Sequence, residues 1–174
     1  MKYMQTGGFQ GNPLMRLTLL WTLLFMSGLW CTNAFMFLSR MKPTAASVEA
    51  YYLGSTEDYS NPRSAASMLE TTHAHMPIMG VVVLMLTHLM IFAPYSDKTK
   101  RAFISLSFLS AFGGEAAGWG VRYLQPAALF AWLKIACFLL FQGCLGFLIV
   151  GLAAFLLAAR TRTPKRGHRE GAQA

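Results

Sequence analysis

The sequence predicts an all-α protein, an antiparallel four-helix transmembrane bundle. Three observations predict it. Of 174 residues, 55% are hydrophobic and 13% are charged, about half the ~25% charge of a soluble domain. The apolar residues gather in four runs, each long enough for a hydrocarbon core that takes ~20 residues of helix. The charges, with a net of +8, sit at the ends of those runs and not along one polar face. This excludes a disordered chain and a nucleic-acid partner, and makes the lipid bilayer the main surroundings. The length makes about one domain.

The first run, 17–38, follows Arg16 and precedes Arg40 and Lys42. It is longer than a signal-peptide apolar region of ~7–15 residues. Trp30 just before Cys31 does not suit lipoprotein processing. The run reads as a retained span. Residues 40–71 carry Pro43, Gly54 and Pro62 with Glu49, Glu57, Asp58, Arg63 and Glu70. They read as an external loop with a short helix near Ala45–Tyr52. The second span, 72–92, is closed by Pro94. A tight loop with Lys98, Lys100 and Arg101 leads to the third span, 102–123. Pro126 marks a short turn before the fourth span, 127–159, which is long enough to tilt or to project from the lipid. The tail, 160–174, is basic and suited to anionic headgroups.

An even number of spans puts both termini on one side. That side holds ten basic residues: Lys2, Arg16, Lys98, Lys100, Arg101, Arg160, Arg162, Lys165, Arg166 and Arg169. The other holds five: Arg40, Lys42, Arg63, Arg122 and Lys134. The positive-inside rule then makes residues 1–16 and the tail cytoplasmic and the 40–71 loop external, in a bacterial inner membrane. Cys31, Cys137 and Cys144 lie inside apolar runs with no Cys-x-x-Cys motif; they read as small packing residues.

Ionisable groups inside a span cost a few kcal/mol each and are functional candidates by default. His73 and His75 open the second span and point about 200° apart. His88 lies about 60° round from His73 and about 22 Å along the axis. Imidazole ligates haem iron or copper, so His73 and His75 are the candidate metal ligands and His88 a further cofactor contact. The plain alternative is hydrogen bonding to headgroups or loops. Glu115, in the outer half of the third span, comes to a depth similar to that of the two outer histidines. Beside an imidazole it would fix the tautomer. It could instead carry protons to a quinone, or sit protonated against a helix carbonyl. Trp119, one turn on, either closes a ring pocket or anchors the helix at the interface. Gly114 and Gly118 allow close helix approach and would also leave room for a porphyrin. Lys134 is expected to snorkel to the outer surface, and Gln142 to bond across helices.

The stretch Thr72-His73-Ala74-His75-Met76-Pro77-Ile78-Met79-Gly80 resembles the His-x-His helix of haem–copper oxidase and nitric oxide reductase catalytic subunits. Residues 70–158 are also similar to small bacterial four-span proteins. Their pattern has a His-x-His second helix, an acidic residue four before a tryptophan, and a proline followed by an aromatic pair. Here Glu115, Trp119, Pro126, Phe130 and Trp132 supply it. The resemblance implies haem b held by His73 or His75, with Glu115 and Trp119 beside it. Two departures limit this. The 40–71 loop lacks Cys-x-x-Cys-His, so no covalent haem is expected. No histidine occurs in the other three spans, so a second axial ligand must be a methionine, a partner subunit, a homo-oligomer mate or an open position. The leading expectation is a haem-b-binding electron-transfer subunit of a respiratory-type complex. The alternative is a structural or assembly subunit with no cofactor of its own, and copper handling is a third idea. No catalytic residue is assigned; there is no serine–histidine–acid set and no pair of carboxylates within a span.

Overall fold

A computed structural model describes residues 12–57 and 59–158. It contains five α-helices: α1 Pro13–Arg40, α2 Ala45–Leu53, α3 Ala65–Met90, α4 Asp97–Tyr123 and α5 Ala127–Ala158. Among the described residues there is no strand, only an isolated bridge between Ser55 and Ser60. The expectations for the cytoplasmic N-terminal segment up to residue 11, for Asp58 and for the basic tail fall outside the described residues.

Every helix predicted from apolarity is present, and three of them begin earlier than predicted. Each early start is set by a polar cap. Asn12 accepts from the amides of Leu14 and Met15, with Pro13 at the first position of α1. Ser64 accepts from Ser67 and starts α3 seven residues before the apolar run. Ser96 accepts from Thr99 and starts α4. Side-chain acceptors satisfy amides that a helix end leaves open. Three helices, α1, α3 and α5, are long and apolar enough to cross a membrane. The less apolar α4 is not one of them; it carries Glu115, Ser105, Ser107, Ser110 and several glycines.

The pairings between helices fix their sense. From α4 to α5, Phe103 stacks on Phe147 at 3.8 Å, while Gly120 faces the ring of Phe130. Residue numbers fall on α5 as they rise on α4, so the two run antiparallel. From α1 to α5, Trp30 donates to the carbonyl of Gln142 at 3.0 Å, and Phe37 stacks on Phe138 at 3.8 Å. The return bond, Gln142 Nε2 to the Trp30 carbonyl, makes this the cross-helix contact expected of Gln142.

In lipid the apolar effect does not drive helices together; close packing and interhelical hydrogen bonds do. The α4 glycines show how. Gly113 and Gly114 admit Cys137 of α5, Gly120 admits Phe130, and Gly118 admits the hydroxyl of Tyr52 on α2. The Gly114/Gly118 pair is therefore a packing device, and it serves two different neighbours. Ser107 and Ser110 return their hydroxyls to the carbonyls of Phe103 and Leu106, both at 2.6 Å, so α4 buries them without orphaned groups.

Two apolar clusters result. One joins Leu23, Val83, Leu86, Met90, Leu145, Leu148 and Leu152 of α1, α3 and α5. The other joins Phe37, Met41, Val48, Tyr52, Met68, Val121 and Ile135, and it brings in α2. Val48 is fully buried, so α2 lies over this end of the helices as a cover. The outer faces of α1 (Leu17, Trp21, Leu24, Phe25, Phe35) remain exposed, as a lipid-facing helix requires.

Candidate functional site

Under α2, three helices direct polar side chains at one point. Glu115 of α4 is its centre, with 15% of its side chain exposed. His75 of α3 places Nδ1 3.3 Å from Glu115 Oε1. Lys134 of α5 brings Nζ to 4.0 Å from the same oxygen. Thr72, one turn before His75, donates to Oε2 at 3.4 Å and accepts from Trp119 Nε1 at 3.0 Å. A chain of bonds thus runs from the indole through the hydroxyl to the carboxylate, and both carboxylate oxygens are engaged.

The helical period explains the convergence. Thr72 and His75 are three apart and Glu115 and Trp119 four apart, so each pair shares a face. Because α3 and α4 run antiparallel, Thr72 lies between Glu115 and Trp119. His73, about 200° round from His75, is exposed and lines none of the cavities described below. His88 is exposed too, its ring edge against Phe92. Of the predicted set His73, His75, His88, Glu115 and Trp119, the structure gathers His75, Glu115 and Trp119 and leaves His73 and His88 outside. Among the described residues no group of three or more His, Cys, Asp and Glu forms a metal-ion site. Met68 is buried in the apolar cluster and Met76 is exposed, while Met79 shares the walls of the two larger cavities with His75.

Lys134 departs from expectation. Its ammonium does not reach outward; it turns inward and donates to the carbonyl of Gly114 at 2.9 Å, with 13% of its side chain exposed. A carboxylate a turn away on the facing helix, and glycines that expose the backbone of α4, make the inward geometry available. The sequence reading also passed over Thr72, Tyr52 and Asn33. In the sequence Thr72 marks only the start of the second span and of the His-x-His stretch. The asparagine, a carboxamide inside an apolar run, was a signal that could have been weighed. Tyr52 stands over Gly118, and burial, then the Glu115 carboxylate, pushes its phenol well above the ordinary tyrosine range.

Three cavities meet at this cluster. One of about 30 Å³ runs from Arg63, Tyr51 and Tyr52 past Thr72 to Glu115 and Trp119. One of about 120 Å³ reaches from Arg40 and Tyr51 to His75, Glu115 and Lys134. The third, about 260 Å³, is an apolar groove of α1, α3 and α5 with His75 on its wall. The first two open beside α2 and the loop; the third lies at the depth of the spans. Arg63 stands over the Tyr51 ring at 4.5 Å, and Arg122 donates to the Arg63 carbonyl at 3.0 Å, which fixes the loop at the first opening.

A protein-family model, Aq_1264_TM, described as a transmembrane helical domain, matches residues 42–163. The match takes in His75, Glu115, Trp119 and Lys134 and leaves out all of α1, Asn33 with it. No curated protein and no solved structure matches the chain. The matched description speaks only of transmembrane helices, and lends no support to the likeness between residues 72–80 and oxidase helices.

Proposed function

The chain belongs to the Aq_1264_TM family of transmembrane helical domains, and we propose that it is a membrane subunit whose Glu115–His75–Lys134 cluster serves a lipid-soluble redox ligand. In this reading α4 is a fourth span. Its 27 residues reach about 40 Å, enough for a core of ~30 Å, and its antiparallel pairings fit a four-helix bundle. The positive-inside count puts α2 on the external face of a bacterial inner membrane and both termini in the cytoplasm.

One observation carries the proposal: the same His75–Glu115 pair is reached from the loop side through two cavities and from the apolar side through a third. A pair with a carboxylate fixing one ring nitrogen leaves the other nitrogen for a ligand. Protons exchanged there have a polar route past Thr72 and Tyr52 to the loop side. A salt-bridged staple would need no such access.

Haem b is the second reading, favoured by the carboxylate on His75 Nδ1, an arrangement that steadies an axial imidazole. Of His73 and His75, His75 is the one that lines the two larger cavities. The groove beside it, about 260 Å³, is below the ~300–1,000 Å³ of sites that enclose drug-sized ligands, so the geometry favours a smaller ring over a macrocycle.

The test is to purify the full chain in mild detergent, record a reduced-minus-oxidised spectrum and analyse the extracted organic fraction. A redox-active compound near one per chain, lost in His75→Leu and kept in His88→Leu, bears the reading out. Soret and alpha bands select haem; an ultraviolet change without them selects the smaller ring. A redox-silent preparation, with Glu115→Gln altering only thermal stability, leaves a structural subunit and overturns it.

A further inference from the structure

Asn33 stands two turns before the end of α1, with its side chain on the walls of both larger cavities. Its carboxamide finds no hydrogen-bond partner among the described residues. His75 lines the same two cavities from α3, and with Nδ1 given to Glu115 its Nε2 is likewise open. A polar group in a span without a partner costs free energy, so two of them on facing walls of one groove are costly unless something bridges them. Every other wall position of the groove except Thr32 is apolar: Leu29, Ile78, Val82, Phe141 and Leu145 among them. Leu29 and Ile78 are 37% and 53% exposed, so the groove opens sideways between α1 and α3.

We infer that this groove binds the head of a quinone or hydroquinone, with its oxygens on Asn33 and His75 and its tail leaving between α1 and α3. The inference rests on the ligand-site reading above and names its ligand. The chemistry matches on three counts. The head has two oxygens on opposite edges of one ring, as the two walls require. The carboxamide both donates and accepts, so it serves a carbonyl or a hydroxyl. With the carboxylate holding the proton on Nδ1, Nε2 accepts from a hydroquinone hydroxyl; with the imidazole protonated it donates to a quinone carbonyl. An acyl chain would gain the apolar wall and leave both polar groups unserved, and a phospholipid headgroup would seek Arg40 at the mouth of the other cavity, away from the groove.

The experiment uses the full chain in discs of one synthetic phospholipid, titrated with a short-tailed benzoquinone and followed by tryptophan quenching. Trp30 lies one residue from the groove wall at Leu29. Saturable quenching is expected, weakened tenfold or more in Asn33→Leu and in His75→Leu. Ile78→Trp, which narrows the groove without touching a polar group, should abolish it. Asn33 makes no side-chain bond, so without ligand its variant should unfold at or above the wild-type temperature. Quenching that rises without saturation, that is equal in wild type and variants, or that an alkyl alcohol of matching tail displaces as well as the quinone does, would overturn the inference. Soret and alpha bands in the purified protein would sink this ligand and leave the ligand-site reading standing.

Discussion

Replacing Lys134 by methionine should destabilise the protein far more than removing a surface charge. The substitution keeps an unbranched stem out to Cε, with a sulfur for one methylene, and removes the ammonium. At 4.0 Å from Glu115 Oε1, with an effective dielectric of about 20, the pair attracts by about 4 kcal/mol. Both partners are mostly enclosed, and breaking a buried pair on one side costs about 3–5 kcal/mol. Thr72 and His75 still serve the carboxylate, which places Lys134→Met near the low end, about 3 kcal/mol. Glu115→Gln strands the ammonium but leaves its bond to the Gly114 carbonyl, and should likewise sit at the low end, about 3 kcal/mol. In the double variant neither charge is left alone, so the two costs should fall short of additive by about 1–3 kcal/mol. The assay is equilibrium unfolding of all four proteins in mixed micelles of increasing denaturing detergent. Additivity within about 0.5 kcal/mol, or a Lys134→Met cost below about 1 kcal/mol, is the behaviour of an exposed pair. Either result would refute the claim that this cluster is an enclosed, coupled unit.

Gly120→Val should cost about 1–3 kcal/mol through overpacking, because a Cβ there meets the body of the Phe130 ring, whereas Gly80→Ala, with nothing within 4 Å, should be neutral or stabilising; thermal unfolding in detergent compares them. Tyr52, raised by burial first and by Glu115 second, keeps its proton in the folded state to higher pH than in the unfolded chain. Its contribution to stability is therefore full below about pH 10 and lost as pH rises above that value. A tyrosinate absorbance titration should show one late-titrating phenol that is missing in Tyr52→Phe. Glu57→Cys, placed in the exposed loop beyond α2, should react with a membrane-impermeant thiol reagent added to intact cells; protection there with labelling only after lysis would reverse the topology.

The helices were legible in the sequence because a bilayer imposes a length and a composition together. Their ends were not, because apolarity marks lipid contact and not helix. Residues 65–71 (Ala-Ala-Ser-Met-Leu-Glu-Thr) are helical yet stand on the α2 side of the apolar run, and only the Ser64 cap announces them. At the site, periodicity separated His73 from His75 correctly, and depth counting brought Glu115 to the histidines. It could not choose which histidine would face inward, since that depends on the rotation of α3 against α4. The Lys134 side chain failed for a related reason. A lysine seven residues into a span can snorkel or turn inward, and the choice rests on whether a carboxylate on another helix stands at its height. Asn33 belongs to the same class: its use depends on which helix lies across the gap.

The helix with the weakest claim to cross a membrane is the one that carries the centre of the site, and the two facts have one cause. The apolar surface that makes α1, α3 and α5 recognisable is surface for lipid. On α4 the positions facing α2, α3 and α5 are occupied by Ser107, Ser110, Gly113, Gly114, Glu115, Gly118 and Gly120, which lower its hydropathy and could not face hydrocarbon without cost. They are tolerated because neighbours cover them: Cys137, Phe130 and Tyr52 fill the space above the glycines, and the serines bond back to their own helix. Small residues alone would make a tight, inert contact. Glu115 among them does more, because close approach of α5 brings Lys134 to the Gly114 backbone while α3 brings His75 to the carboxylate. Hydropathy lost inside a helix that is nevertheless long and enclosed is therefore the sequence signature of this site, and it points to α4 before any histidine is counted.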